Sequence, residues 1–184
     1  VLYPFDFDIE LGYIYYVFIF FLLIFFETAF GITDGVDGLS ASLHIVTFSV
    51  LFYISYISDD TSLSLFILSL IAAEFAFLLF NRKPAKVEMS DVGTLPLGII
   101  FVTIAIILKI EILIFVIGLI YVVEICSSFG QQWSVKLFKK RILLVAPIHH
   151  HFEKLGWGTN LIVITFSLFT LLTSIFGVIL YLNV

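Results

Sequence analysis

The chain has 184 residues, of which 61% are hydrophobic and only 12% charged, and its mean hydropathy is +1.19. A soluble domain carries about twice that share of charge, so composition excludes a water-soluble globule and predicts an all-α, polytopic transmembrane protein forming a single domain over residues 1–184. Nine Lys and Arg against fourteen Asp and Glu leave no basic field for nucleic acid, and a lone cysteine, Cys126, excludes a disulfide framework.

A membrane-crossing helix needs about 20 apolar residues, and about six spans are predicted. In chain order they run Gly12 to Phe30, Leu39 to Ile57, Leu63 to Phe80, Leu95 to Leu108, Ile110 to Phe129 and Asn160 to Leu182. The fourth is short and needs Val92 to Thr94 or Lys109 to reach the interfaces. Apolar residues surround each span rather than forming one stripe, as lipid contact requires. Arg82, Lys83 and Lys86 fall between spans three and four, and Lys136, Lys139, Lys140, Arg141 and Lys154 between spans five and six. Only Lys109 falls on the other side, so the positive-inside rule puts these two loops, and Gly31 to Gly38 with them, in the cytoplasm. Asp59, Asp60 and both termini are then outside. An acidic start (Asp6, Asp8, Glu10) delivered outside, with Val1 in place of Met, predicts an even number of further spans upstream.

Polar residues gather in the three cytoplasmic loops. In Gly31 to Ser40 (G-I-T-D-G-V-D-G-L-S), Asp34 and Asp37 are interleaved with Gly35 and Gly38. Glycine lets backbone approach a ligand, and the next span aims free N–H groups at the loop. Asp37 alone reads equally as a helix N-cap; the pair in a glycine frame points to ligand or metal binding. The second loop, Phe80 to Thr94, adds Asn81 and an acid, Asp91, at the foot of the fourth span. One carboxylate is a weak metal signal, but Mg²⁺ commonly takes one or two carboxylates plus substrate phosphates.

The third loop, Gly130 to Thr159, contains His149, His150 and His151 in tandem. Histidine can hold phosphate and move protons near neutral pH; it can also be plain surface, or bind Zn²⁺, though no partner set completes a tetrahedral site. Glu27, Glu74 and Glu124 lie inside apolar spans, where a carboxylate is paired or functional by default. Glu124 is placed to orient the histidine loop, whereas Glu27 and Glu74 have no assigned partner and read as protonated in place. Together these features describe Mg²⁺-dependent phosphate chemistry at the inner membrane surface, with a lipid admitted between the spans. A channel would line a pore with polar groups, and here they collect in loops on one face.

At these loops the sequence resembles a known family. A-P-I-H-H-H-F-E-K-L-G-W, Ala146 to Trp157, is similar to the histidine motif of the phospho-MurNAc-pentapeptide transferases, members of the polyprenyl-phosphate phosphoglycosyl transferase superfamily (glycosyltransferase family 4). T-D-G-V-D-G-L, Thr33 to Leu39, resembles the family's T-D-G-L-D-G-L, and Phe80 to Thr94 resembles F-N-x-x-P-A-x-V-F-M-G-D-V-G-S. Val122 to Glu124, Gln131 and Lys136 fall at matching spacing. The resemblance implies the C-terminal part of an enzyme of about ten helices, usually dimeric, in the bacterial inner membrane. That enzyme transfers phospho-MurNAc-pentapeptide from UDP-MurNAc-pentapeptide to undecaprenyl phosphate with Mg²⁺, giving lipid I and UMP for peptidoglycan synthesis. It further implies Asp91 as the metal-binding aspartate, Asp34, Gly35, Asp37, Asn81 and Gln131 as substrate-binding, and His149, His150 and His151 in contact with the substrate's phosphate and sugar.

The chain also departs from the family. The paired aspartates of its D-D-x-x-K motif have no counterpart here, and Asp59-Asp60, on the outer face and without the Lys, is no substitute. Glu88 stands where the family stacks an aromatic residue on uracil, Ser90 replaces a Gly and Gly31 an Asn. These departures imply little or no turnover by this chain alone. The alternative is a non-catalytic remnant that binds lipid phosphate or a partner.

Overall fold

A computed structural model describes residues 12–183, so the acidic start at Asp6, Asp8 and Glu10 lies outside the described residues. The elements are α1 (Ile14–Thr33), α2 (Leu39–Ile57), α3 (Thr61–Asn81), α4 (Ser90–Leu108), α5 (Ile114–Ile117), α6 (Leu119–Phe138), α7 (Ile148–Lys154) and α8 (Thr159–Leu182). No strand occurs among the described residues. Among the described residues five helices, α1, α2, α3, α4 and α8, are long and apolar enough to cross a membrane.

Among those five, the helix richest in Ser, Thr and His is the one most enclosed by its neighbours. In α2, 56% of the hydrophobic window is buried, against 22–39% in the other four. It packs against α3, α8 and α4, so its polar side chains are kept from lipid. The core lies where α1, α2, α4 and α6 meet. Phe26, Phe30, Phe48, Phe101 and Tyr121 are fully buried there, with Phe30 stacked on Tyr121 at a centroid distance of 4.1 Å.

The predicted fifth span, Ile110 to Phe129, is not a single helix. Lys109, at φ 58°, ends α4 in the left-handed region, and Gly118 separates α5 from α6. A side chain at Gly118 would meet the Ile114 carbonyl and the rings of Phe101 and Phe26. The apolar residues that suggested lipid contact, Ile110, Leu113, Ile114 and Ile117, are instead fully buried within the bundle. A continuous apolar run satisfies either environment, and periodicity cannot separate them. The fourth span does extend as its length required: α4 starts at Ser90, which puts Asp91 in its first turn.

Helices α1 and α4 touch backbone to backbone at Gly98. A Cβ there would lie 2.7 Å from both the Glu27 Cα and the Phe26 carbonyl oxygen. Neither atom can rotate away, so Gly98→Ala must push the helices apart. Overpacking of this kind costs about 1–3 kcal/mol, and thermal unfolding in detergent will show the loss.

Candidate active site

The site is built by the loops at one end of the bundle. Asp34, Gly35, Asp37, Asn81 and Asp91, five of the predicted residues, line one cavity of about 400 Å³ together with Gly31, Val36, Glu88 and Ser90. Side chains zip the first loop onto the second. The Gly38 N–H donates to Asn81 Oδ1 (3.0 Å), while Asn81 Nδ2 donates to the Val87 carbonyl (2.9 Å). The Ala85 N–H donates to Asp37 Oδ2 (3.2 Å), and the Ser90 N–H to Asp34 Oδ2 (3.1 Å). Ser40 Oγ donates to the other Asp34 oxygen.

This removes the cap reading of Asp37. Helix α2 begins after Gly38, whose φ of 77° makes the turn, and no side chain caps it. Asp37 reaches across to the second loop instead. Asp91 differs from the other acids: it is exposed and makes no hydrogen bond among the described residues. Four carboxylates, those of Asp34, Asp37, Glu88 and Asp91, therefore border a cavity whose walls hold no Lys, Arg or His.

The histidines enter from α7, whose first residue is anchored by the Ile148 N–H donating to Ser127 Oγ (3.0 Å). His149 is fully buried, with Nδ1 2.9 Å from Glu124 Oε2. Glu124, itself fully buried, orients the histidine helix as the sequence predicted. With Nδ1 engaged by Glu124, Nε2 is the nitrogen that faces away from the pair. That atom has no hydrogen-bond partner and lies directly against Gly35: a Cβ at Gly35 would be 2.3 Å from it and 3.0 Å from His150 Nε2. His150 is part-exposed, with Nδ1 2.9 Å from Glu153 Oε2. His149 and His150 thus flank the Gly35 edge of the acidic cavity. His151 turns away, its Nδ1 accepting from the Leu144 N–H (3.1 Å).

Gln131 is placed elsewhere. Its Oε1 accepts from the Ile142 and Leu143 N–H groups, and its Nε2 donates to the Leu143 carbonyl. All three bonds hold the segment that leads into α7, and Gln131 lines a second cavity beside the end of α6 rather than the acidic one. Asp59 and Asp60 are at the far end of α2, where Asp60 caps α3 by accepting from the Leu63 N–H (2.9 Å).

Sequence reasoning missed one polar pair. His44 Nδ1 lies 3.4 Å from Glu74 Oε2, with both residues buried, and the His44 ring stacks on Phe30 at 4.8 Å. Glu74 was expected to stand protonated without a partner. The signal was in the spacing: His44 and Glu74 are each fifteen residues from Asp59, at the tip of the α2–α3 hairpin, and so sit at the same depth.

Residues 2–109, more than half of the chain, match the family model described as Glycosyl transferase family 4. The chain belongs to glycosyl transferase family 4. The stretch matching this family includes every residue that lines the acidic cavity, and it stops before the histidine helix. Similar proteins extend over that helix as well. The phospho-N-acetylmuramoyl-pentapeptide-transferase of Staphylococcus epidermidis is 43% identical over 172 residues, covering 94% of this chain and 54% of its own. Those of Staphylococcus haemolyticus and a Wolbachia strain from Drosophila simulans are 41% and 40% identical, covering 92% of this chain and 53% and 54% of theirs. The chain therefore spans about half the length of the curated relatives it matches, corresponding to their C-terminal half.

Proposed function

We propose that this chain supplies the Asp91 and histidine part of the active site of a phospho-MurNAc-pentapeptide transferase. In this reading it takes UDP-MurNAc-pentapeptide and undecaprenyl phosphate and yields lipid I and UMP for cell-wall synthesis. The observation that carries the reading is the acidic cavity, with the uncommitted Asp91 carboxylate on its wall and His149 and His150 at its Gly35 edge. Asp34, Asp37 and Asn81 spend their hydrogen bonds on fixing the two loops, so their work is to shape the cavity.

Four carboxylates repel a diphosphate, and a cation is needed to bring the two together. Among the described residues no three His, Cys, Asp or Glu form a closed metal cage. The donor set suits a hard cation held by one or two carboxylates and completed by phosphate oxygens and water. Asp91 would hold Mg²⁺, which when bound neutralises charge on the diphosphate. His150, part-exposed and oriented by Glu153, is the histidine best placed to contact the substrate at the rim. His149 and Glu124 brace Gly35 from below. Phosphoryl transfer depends on positioning and charge stabilisation of this kind. Eight of the nine Lys and Arg lie in the loops at the site's end, which supports a cytoplasmic orientation.

Glu88 favours the second reading, a non-catalytic remnant, because it adds negative charge to the cavity where the resemblance implies an aromatic ring. One assay separates the two. Membranes containing this chain are tested for Mg²⁺-dependent UMP release, alone and with the N-terminal half of the S. epidermidis relative. The expected result is no release from the chain alone, release from the combination, and loss of about 10²–10³-fold with Asp91→Asn, as for other groups that stabilise developing charge. If the two halves of the S. epidermidis protein reconstitute activity together while this chain cannot replace the second, the remnant reading is correct.

A further inference from the structure

A second cavity, about 580 Å³ in volume, opens beside the end of α6, and its lining shares no residue with the acidic one. Lys136, Lys139 and Arg141 line it together with Gln132, Val135 and Leu144. None of the three cations has an ion pair or hydrogen bond among the described residues. The wall is held in place: the three Gln131 bonds fix residues 142–143, and Ser134 Oγ donates to the Lys140 carbonyl at 2.8 Å.

The surroundings are apolar. Helix α6 has no buried residue after Ile125, so its second half stands out from the bundle. Of the lining residues, Val135 and Leu144 are 40% and 52% exposed, and Trp133, Leu137, Phe138 and Ile142, outside the lining but on the same stretch of chain, are 60–71% exposed. Cations alternating with exposed Trp, Phe and Leu mark a segment lying in the membrane interface. Basic pockets at that depth on the cytoplasmic side take anionic lipid headgroups.

We infer that this cavity binds the phosphate headgroup of an anionic bilayer phospholipid. Lys136, Lys139 and Arg141 surround the phosphate, and Val135, Leu144 and Val145 of the same lining face the glycerol and upper acyl carbons, with Trp133 one residue beyond the lining at Gln132. The two more ordinary roles of such cations, setting topology and offsetting the negative end of α6, need neither a cavity nor a fixed wall. A carboxylate ligand from water would leave the apolar rim unexplained. The inference does not depend on the proposed transfer reaction.

The test uses Trp133 as the reporter. The full chain carrying Trp157→Phe, which removes the other tryptophan, is reconstituted in phosphatidylcholine bilayers and titrated with brominated phosphatidylglycerol or brominated phosphatidylcholine. Brominated phosphatidylglycerol is expected to half-quench Trp133 at a mole fraction about tenfold lower, from a gain of roughly fivefold per interfacial cation partly offset by competition among bulk lipids. The preference should vanish in Lys136→Gln/Lys139→Gln/Arg141→Gln. It should survive in Lys136→Arg/Lys139→Arg, which keeps the charge, and in Lys86→Gln/Lys154→Gln, which removes cations elsewhere at the same end. Equal quenching by the two lipids, or a preference that persists in the triple variant, would overturn the inference. So would abolition of the preference by millimolar inorganic phosphate or by a few mole percent undecaprenyl phosphate, which would assign the cavity to a soluble anion or to the acceptor lipid.

Discussion

Replacing Gly35 by alanine will lower turnover of the reconstituted enzyme by about a hundredfold with little change in thermal stability. The backbone at Gly35 tolerates a side chain, since it is not among the positive-φ positions. The obstacle is the His149 ring, whose Nε2 occupies the place of the new methyl group. That ring is fully buried and fixed at its other nitrogen by Glu124, so it cannot rotate aside without breaking the 2.9 Å bond. Either α7 moves or the Asp34–Asp37 loop lifts, and both shift groups at the cavity edge by about an ångström. Displacement on that scale costs on the order of 10² in rate. Gly35 is exposed, so the fold can absorb the shift. Measuring UMP release and melting temperature on the same preparation checks both halves of the expectation. A variant that melts well below the parent would show that the glycine serves the fold instead.

Glu124→Ala should have the opposite signature, lowering stability as well as activity. Glu124 and His149 are both fully buried, and the pair joins α6 to α7. Removing the carboxylate leaves the His149 N–H in a dry environment without an acceptor and opens a void beside it. The first effect costs about 1–3 kcal/mol, and the void brings the total to about 3 kcal/mol. Glu124→Gln retains an acceptor and should fall between parent and alanine variant. Because Gly35 and Glu124 both act through the His149 ring, their effects on rate should not add. Unfolding in mixed detergent, followed by loss of helix, measures the stability terms. An unchanged transition for Glu124→Ala would mean that the pair carries no load.

Much of the candidate site was legible because its parts are unusual in an apolar chain. Two aspartates in a glycine frame, an acid at a helix foot and three tandem histidines have few structural uses at a membrane edge, and most of them do converge on one cavity. Gln131 illustrates the limit of such reading. An amide can bind a ligand or a backbone segment equally well, and its bonds to residues 142–143 depend on where tertiary packing puts that segment. The cap, one of two readings open for Asp37, falls for a similar reason: the choice between its own helix and the neighbouring loop is made by tertiary packing. In the fold, the break at Gly118 was hidden because apolar residues facing a protein core look the same as those facing lipid. His44 and Glu74 were read one at a time, although the hairpin that pairs them is written in their equal distance from its tip.

That pairing has a consequence for how the chain is made. While α2 alone is in the membrane, His44 has no acid to meet, and when α3 follows, a lone Glu74 would face hydrocarbon at a cost of roughly 2.5–3.5 kcal/mol, the range for Asp, Lys or Arg at the centre of a span. The short link from Ser58 to Asp60, closed by the Asp60 cap on α3, lets the two helices leave the insertion machinery as one unit with their polar groups already facing each other. The pair then acts as a depth gauge. A slip of one helical turn between α2 and α3 would part His44 from Glu74, and because Gly38 is bonded to Asn81 at the other end of the same hairpin, it would also pull the two cavity loops out of register.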